Sequence, residues 1–212
     1  MKTIILSLII ACSSACAFSN DAKYFETMGK SIEQVYRAQT IEEIQQAVNV
    51  LDRVGNSEKT KWEPFYYASF GYVLMATKEG DGTKKDSYLD QAQLEIDKAI
   101  AINANESEIV TLQGFIHTIR VTVDPRSRGQ KYSSLAMQSY GKANKLNPEN
   151  PRALGLMAQM QFGTARFLNA STAEACATAK IALEKFASYK SENVLAPVWG
   201  KETTAELLNQ CK

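Results

Sequence analysis

The chain has 212 residues, 45% of them apolar, and carries 24 basic against 23 acidic side chains. That length and apolar share suffice for one domain with a sizeable buried core and exclude a disordered chain. The near-zero net charge argues against a nucleic-acid partner, which needs a concentrated basic surface, and against electrostatic docking on an anionic membrane.

The first residues place Lys2 before an apolar run from Ile4 to Ala11, followed by small residues and the A-x-A pattern of Ala15-Cys16-Ala17. The run is too short to span a bilayer, and the order of charge, apolar stretch and small residues predicts a signal peptide over 1–17. Residues 18–212 then form a single exported domain, periplasmic or secreted. Ile9-Ile10-Ala11-Cys12 offers an alternative, a bacterial lipobox in which Cys12 is lipidated and anchors the protein to a membrane. Without its leader the chain is formally neutral, because Lys2 is the only charge removed.

Beyond the leader, apolar residues recur at three- and four-residue spacing, the pattern of amphipathic helices. Thr40 with Glu43, Asn105 with Glu108 and Ser171 with Glu174 each set a capping side chain three residues before a glutamate. Asn150-Pro151 puts a proline at a first helical position. Trp62, Pro64, Phe65, Tyr66 and Tyr67 make an aromatic helix start that reads as inter-helix packing. The segments KEGDGTKKD and DPRSRGQK read as charged loops, the first without the ligand alternation of a calcium loop. With Lys84 and Lys85, Arg126, Arg128 and Lys131 are candidates for an anion-contacting rim. Leu207 and Leu208 suggest a final capping helix. Outside the leader, Cys176 and Cys211 are an even pair, which in an oxidising compartment reads as a disulfide.

Two residue series share one period. Gly29, Gly71, Gly114 and Ala158 are spaced by 42, 43 and 44 residues, and Ala47, Ala92, Ala136 and Ala179 by 45, 44 and 43. Interleaved series with a common period mean a duplicated helical hairpin. The second series extends into a stripe of small, large and medium residues, clearest at Ala136, Tyr140 and Ala143.

The stretch Ala136-x3-Tyr140-x2-Ala143-x4-Pro148 resembles the second helix of a tetratricopeptide repeat, and Gly71 and Gly114 take the glycine place of its first helix. The period is about 44 instead of the usual 34. The resemblance implies an all-α fold, an α-solenoid of about four helical hairpins with a C-terminal capping helix, whose first helices line a concave groove. By the offsets that it implies, the groove holds Phe65, Tyr72, Met75, Glu108, Thr111, Phe115, Thr118, Arg152, Gln159 and Phe162. Aromatic rings with a few charged groups suit a protein or peptide segment.

No phosphate-binding loop, nucleophile elbow or zinc-protease motif occurs, and one histidine cannot alone build a triad or a metal site. The sequence therefore predicts a non-catalytic binding module without a cofactor or metal. Two alternatives remain: a lipid-anchored envelope scaffold, and a small-molecule binder or enzyme with a pocket near His117.

Overall fold

The computed structural model of the chain describes residues 21–211. Those residues fold into nine helices with no strand among them. Helix α1 occupies residues 21–37, and the next are α2 (Ile41–Glu58), α3 (Glu63–Lys78), α4 (Gly82–Ile102) and α5 (Ser107–Val123). They are followed by α6 (Pro125–Leu146), α7 (Pro151–Phe167), α8 (Ala173–Ser188) and α9 (Lys201–Asn209). The expected signal peptide and the alternative at Cys12 lie outside the described residues.

The helix starts follow from local chemistry. Thr40 closes a full capping box with Glu43, each side chain answering the other's backbone amide. Asn150 accepts from Arg152 N and Ala153 N while Pro151 opens α7 without a wasted donor. Two expected starts differ. Glu106, not Asn105, caps α5, and Thr172 opens α8 without a side-chain cap bond. Glu108 is instead drawn into an ion pair described below.

From α2 onward each helix packs on its sequence neighbours, and α3 also meets α5, α5 meets α7, and α7 meets α9. Glycine and alanine set the spacing. A Cβ at Gly71 would lie 2.5 Å from a Val48 methyl, and one at Gly114 would lie 2.5 Å from Tyr140, so α3 approaches α2, and α5 approaches α6, to a distance only hydrogen allows. Ser107 facing Ala143 and Gly114 facing Tyr140 show α5 and α6 antiparallel. The largest core cluster runs from Met28 and Val35 of α1 through Tyr66, Tyr67 and Met75 of α3 to Ile109 and Ile116 of α5.

The extra length of the period lies in the second helices, where longer loops were also expected. Asp124 alone separates α5 from α6, and its side chain accepts from Ser127 N. Asp81 caps α4 in the same way, at Lys84 N. KEGDGTKKD and DPRSRGQK are therefore mostly helix starts. Of the expected cationic rim, Arg128 makes a two-pronged bond to Asp86, at 2.6 and 2.8 Å, and beside it Arg120 of α5 bonds Asp90 at 2.7 Å.

Between α8 and α9 the chain runs without helix over residues 189–200. This strap returns across the odd-numbered helices, tying the end of the chain to its beginning. Cys176 of α8 and Cys211, just past α9, are disulfide-bonded with their Cα atoms 5.8 Å apart, as expected from the cysteine pair.

Candidate functional site

The strap lies on the helix face that was expected to be an open groove. Asn193 Nδ2 donates to Glu63 at 3.1 Å, and Tyr67 donates its phenol hydrogen to the Leu195 carbonyl at 2.6 Å. The Val198 amide reaches Tyr36 Oη at 3.4 Å, and Trp199 Nε1 donates to Tyr66 Oη at 3.2 Å. Beneath these bonds lies an aromatic floor in which Tyr36 meets Tyr67 and Phe70 edge-on, and Trp62 meets Tyr66 likewise. Tyr66 and Tyr67 are fully buried, so their hydroxyls need partners, and the strap supplies them. Burial holds both phenols well above their usual range, which keeps them neutral, Tyr67 as a donor and Tyr66 as the acceptor of the indole N–H.

At the edge of this floor, Arg152 of α7 grips Glu108 of α5 through Nε at 2.9 Å and Nη2 at 2.6 Å. Both residues are almost fully buried. The Tyr189 ring covers the guanidinium at 5.1 Å. Arg152 is thus a structural clasp beneath the start of the strap, with Nε and Nη2 both committed to Glu108.

The ten expected groove residues divide accordingly. Phe115 faces the strap, and Glu108 and Arg152 lie under it. Phe65 is buried against Gly55 of α2, and Met75 is fully buried in the main core. Thr111 is buried and bonds back to Ser107. Phe162 is core between α7, α8 and α9, beside Ala158, Ala179 and Leu207. Tyr72 is half-buried against the main core, Thr118 bonds Tyr140 Oη at 2.6 Å, and Gln159 bonds Thr203 of α9. The open surface expected at Phe65, Met75, Thr111 and Phe162 is corrected by their burial. The helical offsets mistook faces that meet neighbouring helices for a face that meets solvent. The strap itself was missed in the sequence, although Asn193, Pro197 and Gly200 punctuate it.

His117 lies elsewhere. Two residues past Phe115 on α5, it points to roughly the opposite side of the helix, since each residue turns about 100°. Its Nε2 meets Gln113 at 3.2 Å, its ring lies beside Tyr132, and Nδ1 is buried without a partner. Burial, aided by Arg120 and Lys131, lowers its pKa and favours the neutral ring. No group of three potential metal ligands occurs among the described residues, and none of their helices is long and apolar enough to cross a membrane.

Comparison with known proteins places this architecture. No family model matches the chain, and no curated protein matches it. Among solved structures, the chain is similar to the HusA haemophore from Porphyromonas gingivalis, with a TM-score of 0.79 and 25% identity, over 89% of this chain and 92% of that one. The likeness agrees with the all-helical fold, and the disulfide agrees with an oxidising compartment.

Proposed function

We propose that this protein is an exported, non-catalytic binding protein of the haemophore kind, whose cargo is haem or a closely related porphyrin. The observation that carries the reading is the fold match to a haemophore along nearly the whole of both chains. The chemistry of the strap-side face supports it. A porphyrin is a broad, flat, largely apolar ring, and beneath the strap Tyr36 and Phe115, both partly exposed, border the buried rings of Tyr66, Tyr67 and Phe70, an aromatic lining suited to stacking on such a surface where the strap gives way. His117 faces away from that floor, so recognition there rests on the ring face of the porphyrin and not on an imidazole bond to iron.

The geometric frame of the reading is a short α-solenoid: hairpins α1–α2, α3–α4, α5–α6 and α7–α8 stacked in series and closed by α9, related to tetratricopeptide repeats. It is supported by the direct packing of α3 on α5 and α5 on α7. A protein or peptide partner is the second reading for the same face, and it too would have to displace part of the strap. A lipid anchor at Cys12 is the alternative form of export, and the intact mass of the mature protein separates it from a start at Phe18.

Titration of the purified protein with haemin and with metal-free protoporphyrin, followed in the Soret band, tests the reading. Saturable binding of both is expected, with His117→Ala binding like the parent. Absence of saturable binding by either porphyrin would discard the proposal. Binding of haemin alone would keep haem as cargo and discard recognition through the ring face.

A further inference from the structure

Trp199 is the residue of the strap that stacks on two rings of the floor. Its indole lies nearly parallel to Phe70 of α3, at 5.0 Å between centroids and 15° between planes, and to Phe115 of α5, at 5.6 Å and 24°. Planar aromatic surfaces prefer such stacked arrangements. Adjacent helices of neighbouring hairpins thus contribute one ring each to a slot of flat shape, and the only polar bond found for the indole is the one from Nε1 to Tyr66 Oη.

The way Trp199 is held differs from that of its neighbours. Leu195 and Pro197 are buried and fix the strap, whereas Val198 is 73% exposed and Trp199 only half-buried. The next residue, Gly200, has φ of 101°, where a Cβ would lie 3.2 Å from Phe186 and 3.3 Å from Arg152. This left-handed glycine turns the chain into α9 immediately behind the indole. The indole is thus held by one hydrogen bond and two ring contacts and is itself part of neither α9 nor the disulfide.

We propose that the slot between Phe70 and Phe115 is a binding site for one edge of a planar aromatic ligand of the porphyrin class, and that Trp199 fills it as a gate until the ligand takes its place. The proposal rests on the porphyrin reading above and adds the location of the site and its gating. An indole and a pyrrole-bearing edge of a porphyrin share flatness, apolar faces and comparable width, so the same two rings stack on either. Val198, already exposed at the mouth, adds apolar surface for the part of the macrocycle outside the slot. A gate that is mostly closed lowers the apparent affinity by the fraction of time it stands open.

The experiment uses gallium protoporphyrin, which is diamagnetic, with the full mature protein. Its two tryptophans give two indole Nε1–H signals in a nitrogen-correlated spectrum. The signal of Trp199 is expected to move on titration while that of Trp62 stays. Trp199→Ala is expected to bind about tenfold more tightly, and Tyr66→Phe, which removes only the hydroxyl that accepts from the indole, about threefold more tightly. Phe115→Ala is expected to weaken binding about tenfold in the parent and in the Trp199→Ala protein. Should Trp199→Ala fail to fold, the Tyr66→Phe affinity and the Trp199 signal decide the matter. Porphyrin binding with an unmoved Trp199 signal and unchanged Tyr66→Phe affinity overturns the slot and leaves the haemophore reading standing. No binding by the parent or by either gate variant overturns both.

Discussion

Glu108 and Arg152 are 44 residues apart, one period of the repeat, and the same place in successive hairpins brings them side by side. A bidentate pair with both members buried is weak support for net stability, but removing one partner leaves a charge without water or counter-charge. Arg152→Ala is therefore expected to cost about 3–5 kcal/mol in urea unfolding, whereas Glu108→Leu with Arg152→Met together should cost much less. His117 makes a second prediction at this scale. Its folded pKa lies below the unfolded value of about 6.5, so near that pH the unfolded chain binds more protons. The stability that His117 permits is complete above that value and is lost as pH falls through it. The thermal midpoint should drop between pH 7.5 and 5, and His117→Gln should flatten the drop; an equal slope in both proteins would refute it.

At the scale of elements, the helices are specified by spacing and caps, and their approach by small residues. Gly114 and Gly129 test the distinction, because they differ in what surrounds them. A methyl at Gly114 meets the Tyr140 ring between α5 and α6, so Gly114→Ala should destabilise by about 1–3 kcal/mol. At Gly129, in α6, a methyl meets nothing within 4 Å, so Gly129→Ala should stabilise by about 0.5–1 kcal/mol through helix propensity. Chemical denaturation of the two variants beside the parent measures both signs. The length of α4 and α6 belongs here too. Asp81 and Asp124 cap these helices within three residues or fewer of the preceding one, which turns apparent loop into helix.

At the scale of the molecule, the disulfide links residues 35 positions apart and closes a segment that contains all but the first turn of α8, the strap and α9. By constraining the unfolded chain, such a closure contributes about 2–4 kcal/mol. A lower thermal midpoint in the presence of reductant, absent in a Cys176→Ser/Cys211→Ser protein, is the expected result. The strap meets α1, α3 and α5 from the far end of the sequence, with Val198 bonding Tyr36 across 162 positions. Its tether to α8 and α9 consequently limits how far the face beneath it can open.

The sequence by itself determined the helical class, the hairpin period, the capping at Thr40 and Asn150, and the pairing of Cys176 with Cys211. Each of these is written in local chemistry or in a spacing that repeats, as at Gly71 and Gly114. Only the tertiary structure decided which helix faces meet solvent, because a stripe of residues at helical spacing records burial without saying what buries it. Tyr72 and Phe115 hold the same place, one residue after Gly71 and Gly114, yet one packs against the main core and the other stacks on Trp199. The strap has neither period nor strong pattern, and its position is set by phenol hydroxyls that must find acceptors or donors once buried. The face that the tetratricopeptide resemblance implied to be an open groove is therefore covered by its own chain.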